Sequence, residues 1–202
     1  LKKITQNVSY IPHFISTVVM VSILTQFFNT KVGLFGQIVK NLVPGASYTT
    51  SPMGSATAFP HLYVWSGVWQ TLGWNSIIYI AALSSVSSEL HEAAQIDGAT
   101  RWQRMWKIDI PSIMPTIAIL LIMRCGSLVS VGFEKVFLMQ TTLNTSVSEV
   151  LSTYVYKTGF ASFKNFSYAS AVGLWNTAIN LTLLLIVNAI TKKMTEGDVS
   201  LF

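Results

Sequence analysis

The chain has 202 residues, of which 51% are hydrophobic and only 10% are charged, with a formal net charge of +5. Soluble domains carry about 25% charged residues, so this composition excludes an ordinary soluble globule. A mean hydropathy of +0.51 also excludes intrinsic disorder, which requires low hydrophobicity and high net charge. The composition is that of an integral membrane protein.

The distribution of positive charge and the cysteine content exclude further classes of protein. The 13 Lys and Arg residues are scattered and form no basic stripe, so we expect no nucleic-acid partner, and membrane loops account for the charge. Cys125 is the only cysteine, so no internal disulfide can form. It also has no Cys or His partner at metal-ligand spacing, and we expect no metal site.

Four stretches of the chain are apolar over the length of about 20 helical residues that crosses a bilayer. They lie at residues 10–28, 60–86, 111–131 and 168–191. Each is predicted to be helical, because backbone polar groups in lipid must be satisfied within their own segment. The predicted fold class is therefore an all-α integral membrane protein, with one transmembrane domain over residues 1–202.

Two loops between the predicted spans contain amphipathic segments. Residues 34–42, LFGQIVKNL, have apolar residues at helical spacing, and residues 147–160 carry Tyr154, Tyr156 and Phe160. Both segments suit helices that lie along the outer membrane interface. Packing in the headgroup region is favoured over direct ligand contact for both.

The charged residues predict the orientation of the chain. An even number of spans puts both ends of the chain on one side of the membrane, together with the central loop. That side then carries most of the clustered positive charge, at Lys2, Lys3, Arg101, Arg104, Lys107, Lys192 and Lys193. The positive-inside rule identifies it as the cytoplasmic side of the membrane.

The central loop, residues 87–110, carries the most informative pattern. Ser88 is a plausible N-cap for a first short helix, and Gly98 is expected to end that helix where the chain turns. Asp97 is predicted to cap a second short helix, and Pro111 marks re-entry into the membrane. The predicted product is a pair of short helices at an angle.

This loop resembles the EAA loop of binding-protein-dependent ABC importer permeases. That pattern is Glu-Ala-Ala, three residues, Gly, nine residues, Ile, one residue, an aliphatic residue and Pro. It is met here by Glu92-Ala93-Ala94, Gly98, Ile108 and Ile110-Pro111, with Ile110 where Leu is usual. The resemblance implies a coupling helix that docks in a groove of a cytoplasmic ATPase subunit, through Glu92, Ala93, Ala94, Asp97, Gly98, Ala99, Ile108 and Pro111. Glu92 is the residue expected to pair with an ATPase arginine.

Segments outside the loop extend the resemblance over nearly the whole chain. SYIPHFIS, SIIYIAAL, STYVYKTGF and SYASAVGLWN are similar to the LplB-like, polysaccharide-type branch of carbohydrate permeases. The implied fold is the type I importer permease fold (MetI-like), which has six transmembrane helices. We expect this chain to hold the last four of them and to be truncated at its N-terminus.

The resemblance also implies a set of partners. They are a second permease subunit, two cytoplasmic ATPase subunits that bind ATP and Mg, and an extracytoplasmic solute-binding protein. This chain has no G-x-x-x-x-G-K-[ST] phosphate-binding loop, so we expect it to bind no cofactor and to hydrolyse no ATP by that route. Its clustered carboxylates lie in a loop without a predicted pocket, and we expect no catalytic site.

Four residues are candidates for a substrate path. Arg124 lies within a predicted span, where a charge usually faces a polar cavity or a partner. Hydrogen bonding to a sugar or acidic oligosaccharide and pairing with the companion permease both remain open. Ser127 is expected one turn later on the same helical face as Arg124, and Glu134 follows at the outer end. Trp74 falls where the resembling maltose-type permeases place a substrate-facing aromatic, whereas His13 is expected to be packed.

Three other functions are open at this point. An ion-coupled secondary transporter would be expected to show paired acidic residues or broken helices at the membrane midplane, where only Arg124 is found. A non-transport membrane subunit that binds an ATPase is the second alternative, and a permease for another small solute is the third. The sequence favours a carbohydrate importer permease over all of them.

Overall fold

The computed structural model describes residues 2–42, 48–161 and 164–194, and all regular structure within these ranges is helical. The helices are α1 (Lys2–Tyr10), α2 (Thr17–Phe27), α3 (Leu34–Leu42), α4 (Phe59–Ser84), α5 (Ser88–Ile96), α6 (Arg101–Arg104), α7 (Ile110–Ser112), α8 (Met114–Cys125), α9 (Phe133–Met139), α10 (Thr145–Ser148), α11 (Leu151–Tyr156) and α12 (Phe166–Met194). Single 3₁₀ turns occur at Ile11–Phe14 and Pro52–Gly54, and π-helical turns at Met105–Asp109 and Lys157–Ala161.

The chain divides into two compact units, which are described separately. The first unit comprises Leu1–Trp74 and Ser130–Gly173, and the second comprises Asn75–Val129 and Leu174–Phe202. The apolar core of the first unit consists of Met20, Val21, Met53, Phe59, Val136 and Met139. Burying an apolar side chain of this size contributes about 1.5–3 kcal/mol, so this cluster fixes α2 against α9.

A buried asparagine connects the 3₁₀ turn at Pro52–Gly54 to the segment after α9. Asn144 has no exposed surface, and its Nδ2 donates to the carbonyl oxygens of Met53 (2.8 Å) and Met139 (3.1 Å). Its Oδ1 accepts from the Thr141 amide (2.8 Å) and the Ser148 hydroxyl (3.0 Å). Because each of these bonds is made away from water, losing the side chain would leave several polar groups unpaired.

The first predicted span is broken near its start. Ile4–Phe14 and Thr17–Phe27 meet at an angle of 97°. Ser16 is extended at this break, and its hydroxyl accepts from the Val19 amide (3.3 Å), which begins α2. The helix within residues 10–28 is therefore shorter than the predicted range.

The fourth predicted span, residues 168–191, lies within α12, and the second, residues 60–86, extends two residues past the end of α4 at Ser84. By length and composition, Phe166–Lys193 is the one helix in the described ranges that is long and apolar enough to cross a membrane alone. The number of candidate spans rises to three if each of two bent helix pairs counts as one span, and α4 belongs to neither pair. The count of four spans stays a prediction.

The third predicted span is bent at its start, and its helix ends before the predicted range does. Arg101–Ser112 and Met114–Cys125 meet at 62°, and α8 ends at Cys125 within the predicted range 111–131. Gly126 follows, where an added Cβ would lie 2.9 Å from Cδ1 of Leu184 on α12. This close approach of α12 packs the end of α8, whose Ile122 has no exposed surface.

The two amphipathic loop segments have different outcomes. The helix predicted at residues 34–42 is confirmed as α3. The helix predicted at residues 147–160 is broken into α10, α11 and a π-helical turn, because Glu149 is extended between α10 and α11. Lys157 Nζ lies 2.9 Å from the Glu149 carboxylate, and this ion pair connects the π-helical turn to the extended residue between α10 and α11.

Candidate functional site

The first helix of the central loop, α5, starts at a serine cap. Ser87, not Ser88, is the N-cap, since its Oγ accepts from the Glu89 amide (3.2 Å) and Ser88 is the first helical residue. The Glu89 carboxylate lies in the first turn, where the exposed amides and the helix dipole favour a negative charge. The helix therefore begins one residue earlier than the sequence predicted.

Gly98 ends α5 in a Schellman motif. The Gly98 backbone is left-handed, with a φ of +76°, and the residue before it, Asp97, is the C-cap of the helix. The Gly98 amide donates to the Gln95 carbonyl oxygen (3.1 Å), and the Ala99 amide donates to the Ala94 carbonyl oxygen (2.8 Å). These two bonds need a left-handed residue four positions after Ala94, which explains the spacing between the Glu-Ala-Ala triplet and the glycine.

A threonine caps the second helix of the loop. The sequence predicted Asp97 for this role, but Thr100 holds it, because Thr100 and Gln103 form a reciprocal capping box. The Thr100 amide donates to Gln103 Oε1 (2.8 Å), and the Gln103 amide donates to Thr100 Oγ1 (3.4 Å). The connection between α5 and α6 is therefore short, because only Gly98 and Ala99 lie between the C-cap Asp97 and the N-cap Thr100.

The chain widens into a π-helical turn before it reaches Pro111. The Ile110 amide donates to the carbonyl oxygen of Met105, five residues back. In a regular α-helix, the ring of Pro111 would clash with the carbonyl oxygen of Lys107. The wider turn at Met105–Asp109 relieves this crowding, so Pro111 is accommodated in α7 without ending the helical path.

A side-chain pair ties the two halves of the loop together. His91 Nε2 on α5 lies 3.2 Å from Asp109 Oδ1 at the end of the π-helical turn. Both side chains are about one third or less exposed, at 30% and 26%. The contact spans the bend at Gly98 and fixes the angle between the two short helices.

The bend encloses a cleft of about 400 Å³. Five of the predicted docking residues line it, namely Ala94, Asp97, Gly98, Ala99 and Ile108. Gln103, Arg104 and Lys107 complete the lining, and the sequence predicted no docking role for them. Glu92, Ala93 and Pro111 are exposed and do not line the cleft, so the loop offers two different surfaces.

Trp74, a candidate for the substrate path, lies in the first unit. Its ring stacks on His13 with centroids 4.4 Å apart and planes at 6°, and it meets Phe14 edge to face at 5.9 Å. His13 is therefore packed, as predicted, and it covers one face of the indole. Trp74 is still 44% exposed, which leaves ring surface open to a ligand.

The candidates of the second unit are Arg124 and Ser127, which lie close together. Arg124 Nη2 donates to Oδ1 of Asn75 (3.0 Å), and the Ser127 hydroxyl donates to the Arg124 carbonyl oxygen (3.2 Å). Ser127 follows the end of α8, so it does not share a helical face with Arg124 as predicted. Glu134 is exposed in the first turn of α9, in the first unit.

Lys135 is a positioned cation that the sequence reasoning missed. Its Nζ donates to the Tyr63 carbonyl oxygen (2.6 Å) and lies 4.6 Å from the centroid of the Tyr63 ring. Burial lowers the pKa of this ammonium from 10.5 to about 8. No sequence motif signals this contact, because it joins residues 72 positions apart.

Comparison with known proteins identifies relatives over nearly the whole chain. The family model described as "Binding-protein-dependent transport system inner membrane component" matches residues 1–196. Protein LplB of Bacillus subtilis is 38% identical over 195 residues, 96% of this chain. The polygalacturonan/rhamnogalacturonan transport system permease protein YteP of the same organism is 36% identical over 98% of this chain. The chain spans 60% of the length of each of these two relatives.

Two solved structures share the fold. A bacterial ABC transporter involved in the import of the acidic polysaccharide alginate matches with a TM-score of 0.90 and 33% identity, over 96% of this chain and 66% of that one. A bacterial alginate ABC transporter in complex with an alginate pentasaccharide-bound periplasmic protein matches with a TM-score of 0.91 and 32% identity, over 99% and 67%. The helical architecture described above is therefore a transporter fold.

Proposed function

Because this chain belongs to the family of binding-protein-dependent transport system inner membrane components, we propose that it acts as a permease subunit of an ATP-driven carbohydrate importer. Its cargo is an oligosaccharide or polysaccharide fragment. Two relatives support this cargo class by name, one a permease for polygalacturonan and rhamnogalacturonan and the other an importer of alginate. In the proposal, the partner subunits hydrolyse ATP and this chain provides part of the path through the membrane.

The bend at Gly98 is the single observation that carries the proposal. The Schellman motif holds the end of α5 through backbone hydrogen bonds, and the Thr100 capping box holds the start of α6 through bonds between side chains and backbone amides. Glu92 and Ala93 remain exposed on α5, so a carboxylate and a small side chain face outward together. A rigid, exposed turn of this kind suits transmission of force from an ATPase subunit, since a flexible loop would absorb the movement.

The docking contact is assigned to both surfaces of the loop. Glu92 pairs with an arginine of the ATPase subunit, and Ala93 lets the two backbones approach. The turn behind the Glu92 contact is shaped by Ala94, Asp97, Gly98, Ala99 and Ile108. Pro111 directs the chain back to the membrane. The loop and both chain ends then face the cytoplasm, with a second permease, two ATPase subunits and an extracytoplasmic solute-binding protein as partners. The related transporter solved with its periplasmic protein supports this assembly.

The substrate path is assigned to Trp74, Arg124, Ser127 and Glu134. One face of Trp74 is covered by His13, so the opposite face is the one that stacks on a sugar ring. Arg124 uses Nη2 to reach Asn75, which orients the guanidinium and leaves further N–H groups for a sugar hydroxyl or a uronate carboxylate. An acidic cargo is consistent with the relatives that carry alginate and polygalacturonan.

The test uses the complete transporter reconstituted in proteoliposomes with its ATPase subunits and solute-binding protein. We expect ATP hydrolysis to rise when the binding protein is loaded with an oligogalacturonide or alginate oligosaccharide, and uptake of labelled sugar to follow. Glu92→Gln should lower both by at least about ten-fold, as expected for loss of a buried charge pair at an interface. Glu89→Gln is the matched control on the same helix and should retain both activities.

Three results would contradict the proposal or one of its parts. Stimulation by an ion gradient in place of ATP would indicate a secondary transporter. ATPase binding with no response to any carbohydrate-loaded binding protein would indicate a different cargo or a non-transport subunit. Equal losses in Glu92→Gln and Glu89→Gln would remove the specific role of Glu92.

A further inference from the structure

The central loop has an uneven distribution of charge that the Glu92 contact does not use. The first helix, α5, carries the acidic residues Glu89 and Glu92 and no Lys or Arg. The second half carries Arg101, Arg104 and Lys107, and Asp109 in that half is held by His91. Within the described ranges, neither Arg104 nor Lys107 forms an ion pair.

Arg104 has the environment of a cation without its partner. It is half-buried and lines the cleft together with Lys107 and Gln103. Its Nε atom is shielded from solvent and has no hydrogen-bond partner. Asp97 lines the same cleft, so two cations and one carboxylate leave an excess positive charge there. A buried N–H of a guanidinium is normally paired, and a carboxylate is its preferred ligand because it accepts two parallel bonds.

We propose that the cleft receives an acidic side chain of the ATPase subunit, which Arg104 binds through its guanidinium group. This inference rests on the proposed function and adds a second contact to it. The cleft shares Gly98 and Ala99 with the docking turn, so its occupant comes from the protein that covers that turn. Ala94 and Ala99 contribute small side chains, which leave room for a carboxylate to enter.

Together the two contacts give the loop opposite charges at its two ends. Glu92 on α5 faces a cation of the ATPase subunit, and Arg104 faces an anion. A docking surface with this polarity accepts its partner in one orientation, because the reversed orientation would bring like charges together. Arg104 is thus a specificity-determining residue of this interface.

The experiment measures binding of the isolated ATPase subunit to the transporter membrane subunits in lipid nanodiscs. At about 150 mM salt, Arg104→Gln should weaken binding by at least about ten-fold and make it less sensitive to salt. Arg104→Lys keeps the charge without the planar fork, so it should fall between wild type and Arg104→Gln. Arg101→Gln is the control, since this exposed arginine does not line the cleft, and it should stay within about two-fold of wild type.

A charge exchange identifies the partner residue. Arg104→Glu should abolish binding, and replacing one Asp or Glu of the ATPase docking groove by Lys should restore it. Failure of every such replacement to restore binding would overturn the proposal. Equal losses in Arg101→Gln and Arg104→Gln would also overturn it, because they would indicate a general charge effect.

Two further outcomes separate the possible errors. If the loss in Arg104→Gln appears only in nanodiscs with phosphatidylglycerol and vanishes in phosphatidylcholine, the cleft binds a lipid headgroup and the proposal is wrong. If wild-type membrane subunits retain no ATPase subunit at all, the proposed function itself fails. Thermal unfolding of each variant, compared with wild type, excludes misfolding as the cause of a loss.

Discussion

Substitutions at Gly98 measure how far the backbone of the central loop determines its coupling to an ATPase. No atom lies within 4 Å of a Cβ added at this position, so a side chain there meets open space. Any cost therefore comes from the left-handed backbone, whose φ is +76°. A left-handed conformation costs an ordinary L-residue about 1–2 kcal/mol, whereas asparagine tolerates it better.

The size of the effect follows from this strain. If Gly98→Ala relaxes the turn in the free loop, docking must restore it, and about 1–2 kcal/mol corresponds to a loss of about 5–30-fold in ATPase affinity. Gly98→Asn should lose less than Gly98→Ala, and Gly98→Val more, since a β-branched residue is a greater outlier at positive φ. Gly98→Pro should uncouple transport, because it also removes the amide that donates to Gln95.

The assay is the affinity of the ATPase subunit for the transporter in nanodiscs, together with the ATP consumed per sugar transported. Gly173→Ala is the matched control, because its added Cβ also meets open space but it lies within α12 without a positive φ. It should leave both quantities unchanged. Equal affinities for the asparagine, alanine and valine variants of Gly98 would refute the reasoning, since the effect would then not depend on backbone strain.

Three further predictions concern stability, measured by thermal unfolding in nanodiscs. Gly73→Ala should destabilise the protein by about 1–3 kcal/mol, because an added Cβ would overlap the Ser9 carbonyl of α1, and Gly173→Ala again serves as control. Asn144→Ala should cost at least about 2 kcal/mol, since it leaves the Met53 carbonyl and the Thr141 amide without this partner, whereas the exposed Thr142→Ala should cost little. The pKa of Lys135 is about 8 in the folded protein and 10.5 ordinarily, so the unfolded chain binds more protons between these values. Wild type should therefore gain stability relative to Lys135→Met as the pH rises from about 8 to about 10, and a constant difference would contradict this assignment.

The central loop shows where local sequence is sufficient. The placement of Gly98 at the end of α5 follows from a helix-forming stretch and one residue that adopts positive φ at little cost, and both are properties of neighbouring residues. The caps were less predictable. Ser87 and Ser88 are chemically identical candidates. Thr100 caps α6 because it directly precedes Arg101 and Gln103 completes its capping box, whereas Asp97 ends α5.

What the sequence by itself determined is the helical membrane class and the loop motif, because both depend on composition and short spacings. Tertiary structure decided the contacts between distant residues, such as His91 with Asp109, Trp74 with His13, and Lys135 with Tyr63. It also decided where the helices break, at Ser16 and before α8. Hydropathy averages over a window of residues, whereas a stacking face, an ion pair or a cleft depends on which side chains the folded chain brings together.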